Sequence, residues 1–177
     1  MSARIPMIAL ATLLAATSAF AAQEKLSGDD RDFAKEAMAG GAMEVQLGQL
    51  AQERAQSTAV RDFAQRMVTD HGQANQKLTE IATNAGLPAT TEMPREQRKT
   101  VDKLSKLQGA EFDHAYMAAM VDDHKKDVRA FEKQAAKGKN AELKSFAQEA
   151  TPKLKEHLTL AQETQASLKG QQARTPQ

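Results

Sequence analysis

The 177-residue chain contains no cysteine. That one absence excludes disulfides, thiolate metal sites, cysteine nucleophiles and a lipid-modified cysteine at a mature N-terminus. Stability must come from a core, and about 155 residues can bury roughly two-thirds of their unfolded surface as one domain. Tryptophan is missing too, and six Phe with one Tyr give few rings on which bases could stack. Nor is one sign of charge in surplus. The 24 Lys and Arg stand against 23 Asp and Glu, and without Arg4 the signs balance, so the basic footprint of a nucleic-acid binder is lacking. No Ser-His-Asp order, glycine-rich phosphate loop or pair of catalytic carboxylates appears, and nothing in the sequence argues for an enzyme.

Long apolar runs are absent except at the start. There, Arg4 precedes an apolar stretch from Ile5 to Phe20, and Ala19-Phe20-Ala21 supplies a small-x-small cleavage pattern. At ~16 residues the run is shorter than the ~20 a spanning helix needs. Residues 1–22 are therefore expected to be a signal peptide cleaved near Ala21 or Ala22. The mature chain is expected in the periplasm, with no spanning segment and no lipid anchor.

What the sequence has in quantity is Ala, Gln, Lys, Glu and Leu, with few β-branched runs, so it reads as helix almost throughout. The first long helix is expected from the capping residues Ser27–Asp30 to Arg54, and the second from Ala59 to Asn84, stopped by "AGLP". A connection over 86–108 holds one short helix after Pro94. The third long helix runs from Ala110 to Ala136, "KGKN" turns the chain, and the fourth runs from Ala141 to Leu168, with Pro152 expected to kink it. Residues 169–177 read as a frayed polar tail. Two helical hairpins joined by a long connection predict an all-α fold: a four-helix bundle over 23–168 with one crossover. A coiled-coil rod would need unbroken heptads.

The buried face of each helix follows from apolar residues spaced by three and four. Each predicted stripe is interrupted once by a residue able to bind metal: Glu44, His71, His124 and His157. Two of these lie in nearly identical settings, "MVTDHGQ" at 67–73 and "MVDDHKK" at 120–126. Burying an imidazole or carboxylate without a partner costs several kcal/mol, so each needs something to bind. Counting from the turns, Glu44 and His71 stand at ~18 and ~22 Å, and His124 and His157 at ~21 and ~28 Å. Three levels agree within a helical turn; His157 is the outlier, its height open to change by the Pro152 kink.

An acid precedes each histidine: Asp70, Asp113, Asp123 and Glu156. Adjacent helical residues point ~100° apart, so such an acid could accept the free N–H of a histidine on the next helix. The plainer reading is a solvated flank. Glu111 and His114 form the only Glu-x-x-His, ~15 Å along the helix from His124, and a di-iron bundle would need that motif twice plus two more glutamates. One mononuclear site rich in histidine remains, suited to zinc, copper(II), nickel or iron. The eight methionines read first as core filling, Met67, Met117 and Met120 among them. Gly40, Gly41 and Gly48 near Glu44 imply either room for a ligand or close helix contact. Tyr116 is expected at a core edge.

With "FAKEAMAGGAMEVQLGQLA", "VRDFAQRMVTDHGQANQKL", "LQGAEFDHAYMAAMVDDHKKDVRAFEKQA" and "FAQEATPKLKEHL" in view, the chain resembles exported, ferritin-like four-helix proteins catalogued as a domain of unknown function and often labelled outer-membrane or periplasmic. The resemblance spans about residues 28–166. It implies a ferritin-like bundle and carries Gly40-Gly41 to Glu44, Asp70-His71, Phe112-Asp113 to Tyr116, His124, and Pro152 to His157; it implies no settled activity. Many relatives carry a lipoprotein cysteine, from which this chain departs. The leading expectation is a periplasmic bundle holding one transition-metal ion through Glu44, His71, His124 and His157, for metal sequestration or envelope stress. Its competitor is a metal-free interaction or chaperone-like module whose histidines bond to acids across the bundle; a ferritin-like oxidoreductase ranks third. The sequence specifies neither the ion, nor a protein partner, nor the oligomeric state.

Overall fold

The computed structural model describes residues 25–90 and 92–172; the expected signal peptide, 1–22, and residues 173–177 of the tail lie outside the described residues. Five helices follow one another: α1 (Gly28–Arg54), α2 (Thr58–Asn84), α3 (Arg95–Leu104), α4 (Gly109–Lys137) and α5 (Ala141–Gln172). Four are long and α3 is the short helix of the crossover. Ser27 starts α1, its hydroxyl accepting from the Asp30 backbone N–H at 3.2 Å and donating to the Asp30 carboxylate at 2.6 Å. At the end of α2, Gly86 takes φ 77°, and the Leu87 N–H reaches back to the Ala82 carbonyl at 2.9 Å. A side chain would strain that left-handed position, so glycine is the residue that closes the helix there. Helix α5 passes through Pro152 as one element and extends to Gln172, beyond Leu168, as good helix formers such as Lys169 and Gln171 allow.

The long helices form two antiparallel hairpins, α1–α2 and α4–α5, with α1 against α4 and α2 against α5. Two buried aspartates fix how the hairpins meet. Asp113, near the start of α4, accepts the backbone N–H groups of Gln56 and Ser57 in the α1–α2 turn, at 3.1 and 2.8 Å. Asp30, near the start of α1, accepts those of Lys139 and Asn140 in the α4–α5 turn, both at 3.1 Å. The acid and the two amides it caps are each displaced by 83 residues from one arrangement to the other. Phe63-Ala64-Gln65 in α2 and Phe146-Ala147-Gln148 in α5 share that displacement. The bundle is thus an internal repeat in which each hairpin caps the turn of the other, a relation the sequence reading missed.

These caps correct the depth count. They put the two turns at opposite ends of the bundle, so heights taken from each turn cannot be compared directly. Counted from the end that holds the α4–α5 turn, Glu44 and His157 are each 16 residues into α1 and α5. His71 and His124 are each 13 residues from the ends of α2 and α4 at that same end. The corresponding depths are ~24 and ~20 Å, within one helical turn. His157 is no outlier, and no kink is needed to bring it level.

Apolar side chains gather on either side of this level. Met43, Leu47, Phe63, Met67, Phe112, Tyr116, Met117 and Met120 belong to one cluster, toward the α1–α2 turn. Phe33, Met38, Leu78, Phe131, Leu143, Phe146 and Leu154 belong to the other, toward the α4–α5 turn. Tyr116 is wholly buried rather than at a core edge, its ring stacked on Phe112 at 5.5 Å and edge-on to Phe63 at 6.2 Å. The three methionines fill the core as expected.

Candidate metal centre

Between the two apolar clusters lies a polar layer. Glu44, His71, His124 and His157 project into it from α1, α2, α4 and α5, with no more than 6% of any of them exposed. The three imidazole rings form a nearly equilateral triangle, with centroids 5.4, 5.2 and 5.5 Å apart. One ring nitrogen of each lies within 4.8 Å of the others, the spread of donors that could share an ion.

Each ring has one nitrogen facing an acceptor. His124 Nδ1 is 3.0 Å from the Met120 carbonyl, and a carbonyl can only accept, so Nδ1 carries the proton. His157 Nε2 is 2.8 Å from the Asp70 carboxylate on the neighbouring α2. His71 Nδ1 lies 2.7 Å from Glu44 Oε2. The opposite nitrogens, His71 Nε2, His124 Nε2 and His157 Nδ1, are buried and have no hydrogen-bond partner. Burial is the main reason all three imidazoles stay neutral: it pushes His71 below its ordinary value, His124 down to about 3 and His157 down to about 4, the last despite the opposing pull of Asp70. A neutral imidazole with one N–H committed offers a lone pair at its other nitrogen.

The four acids that precede histidines separate by role. Asp70 faces the histidine of the next helix. Asp113 caps the α1–α2 turn. Glu156 is a half-exposed flank paired with Arg66 at 2.7 Å. Asp123 belongs to a second group, with Glu44 and Asp127, in which one carboxylate oxygen of each lies within 4.8 Å of the others. Asp127 sits one turn after Asp123 and so shares its face of α4. Burial, then mutual repulsion, raises Glu44 and Asp127 well above the ordinary carboxylate range; burial also raises Asp123. Besides its approach to His71, Glu44 brings Oε1 to 3.4 Å from His124 Nδ1, and neither approach is aligned as a hydrogen bond.

A cavity of about 100 Å³ adjoins the layer, lined by Glu44, Asp70, His71, Asn75, Asp127, Lys153 and His157 among apolar side chains. Gly41 borders it, and a Cβ there would run into the Asn75 side-chain amide. Gly40 is in ordinary contact range of Gln97 on α3, and Gly48 lies against Val68 and the Ala64 carbonyl of α2. Close helix contact accounts for Gly48, while Gly41 leaves space for an amide beside the cavity. His114 is half-buried and joins neither group.

Residues 15–164 match the family described as a domain of unknown function, DUF4142, and the chain belongs to that family. No curated protein matches it. Two solved structures share its fold. A DUF305 fragment from Deinococcus radiodurans superposes with a TM-score of 0.71 at 14% identity, covering 81% of this chain and 99% of its own. A DUF305 protein from Streptomyces coelicolor, described as secreted, gives 0.67 at 15% identity, covering 79% and 93%. Among the described residues no helix is long and apolar enough to cross a membrane.

Proposed function

We propose that this protein holds one first-row transition-metal ion at the centre of the bundle, through His71 Nε2, His124 Nε2 and His157 Nδ1. The observation that carries the reading is three neutral imidazoles whose unpartnered nitrogens are enclosed between two apolar clusters. A buried acceptor without a donor costs about 1–3 kcal/mol, and one cation would relieve three of them together. Three nitrogen donors suit zinc, copper(II), nickel or iron and leave a coordination position for water or another ligand. Asp70 accepts from His157 and orients its ring, and the Glu44 carboxyl stands 2.7 Å from His71 Nδ1; metal-bound imidazoles commonly have such partners. The metal-free alternative, with histidines bonded to acids across the bundle, accounts for one nitrogen of a ring but leaves its opposite nitrogen unexplained. Removal of residues 1–22 and release to the periplasm fit the description of one structural relative as secreted, and metal sequestration or envelope stress is the role we assign.

The test uses untagged protein stripped with chelator. Zinc or copper(II) at 100 times its dissociation constant stabilises a native state that alone binds it by ~2.7 kcal/mol, a rise in Tm of roughly 5–10 °C for a chain of this size. The rise should vanish in His124→Ala. If no first-row ion raises Tm in the wild type, the interaction module is the better account.

A further inference from the structure

Two carboxylates beside the imidazoles, Asp123 and Asp127, remain unused by that reading. Asp123 and Asp127 lie one turn apart on α4 and meet Glu44 from α1, with an oxygen of each within 4.8 Å of the others. Acidic clusters are usually solvated faces; here Asp123 and Asp127 are partly buried and the glutamate they meet is wholly buried. Glu44 is 1% exposed, both its oxygens are buried without a hydrogen bond, and Asp123 Oδ2 is buried without one as well. Glu44 is carried by a different helix from the two aspartates and brings a carboxylate oxygen within 4.8 Å of an oxygen of each. No lysine or arginine forms an ion pair with any of the three among the described residues. The cavity of about 100 Å³ gives the group space, since Glu44 and Asp127 both line it.

We infer that Glu44, Asp123 and Asp127 form a second cation site, adjacent to the three-imidazole site and selective for a hard divalent ion such as manganese(II) or magnesium. Oxygen donors without nitrogen or sulfur favour hard ions, whereas the imidazoles favour later transition metals. Like charges at this spacing repel in a dry setting, and a divalent cation converts the repulsion into attraction. Glu44 links the two sites, its Oε2 at 2.7 Å from His71 Nδ1. The centre would therefore hold two unlike ions. The single-site expectation came from the absence of a second Glu-x-x-His, but an Asp-x-x-x-Asp pair supplies the oxygen donors by another spacing.

The inference builds on the imidazole site, and the two are tested separately. Untagged full-length protein stripped of metal is titrated with manganese(II), the free ion being followed by its electron paramagnetic resonance signal, before and after loading with one equivalent of zinc. The wild type should take up one manganese(II) per chain in either state. Asp127→Asn and Asp123→Asn, near-isosteric and checked for unchanged helix content, should each weaken manganese(II) binding tenfold or more and zinc binding less than threefold. His157→Ala should do the reverse. Absence of manganese(II) uptake by the wild type at millimolar concentration, or uptake indifferent to both aspartate variants, overturns the second site. Loss of zinc binding with manganese(II) uptake intact would overturn the imidazole site alone.

Discussion

At the scale of single residues, the two nitrogens of each histidine have different tasks. One nitrogen faces an acceptor, hydrogen-bonded in His124 and His157 and close to Glu44 in His71; the other has no hydrogen-bond partner. For His157 the acceptor is Asp70, 2.8 Å away on another helix. Asp70→Ala should therefore leave all three donors present while loosening one of them, and lower zinc affinity about 10- to 100-fold. A competition titration with a chromophoric chelator measures this; affinity unchanged from wild type would remove Asp70 from the account. His71, His124 and His157 were legible in the sequence because each interrupts an apolar stripe at a core position. Glu44 was legible on the same ground, although the structure sets it beside His71 and with Asp123 and Asp127 rather than within the imidazole group. Asp127 was not legible: one step off the stripe, a carboxylate looks like an ordinary solvated flank until the helix that covers it is known.

At the scale of helices and turns, the reciprocal aspartate caps hold the hairpins in register. Each carboxylate accepts from two backbone N–H groups of a turn in a part-buried setting. Asp30→Ala and Asp113→Ala should each cost about 2–3 kcal/mol, seen as a fall in Tm of roughly 5–10 °C. Burial alone would raise the Asp30 carboxyl, but bonds from Ser27, Gln134 and the amides of Lys139 and Asn140 outweigh it and hold it below the ordinary 3.8. A depressed folded-state pKa contributes stability that is present above the unfolded value and is lost as pH falls through the folded one. Asp30→Asn should flatten the stability profile below about pH 4, where the wild type loses this contribution, and leave its slope at neutral pH unchanged. Unfolding titrations in which Asp30→Asn and the wild type share one slope across that range would show that the caps are unimportant. Helix contact sets a further limit at Gly48, where a Cβ would stand 2.8 Å from Val68 Cγ2 and 3.0 Å from the Ala64 carbonyl. Alanine gains ~1 kcal/mol of helix propensity, yet overpacking of about 1–3 kcal/mol should leave Gly48→Ala less stable by thermal melting. A higher Tm would mean that the α1–α2 contact can relax.

At the scale of the molecule, the helix order and the crossover were readable from periodicity, capping residues and glycine stops, because those signals are local. The mutual orientation of the hairpins was not. It depends on a connection that leaves α2 at one end and begins α4 at the other, where Asp113 meets the α1–α2 turn. With both turns assumed at one end, His157 came out a turn too deep; with the true orientation, the four polar residues share a level between two apolar clusters. That placement buries the imidazoles, and burial holds all three below their ordinary pKa. The most direct measurement is X-ray absorption at the zinc edge on untagged protein loaded with one equivalent of zinc. The account predicts three imidazole scatterers at about 2.0–2.1 Å, falling to two in His124→Ala; a shell of oxygen atoms without imidazole would contradict it.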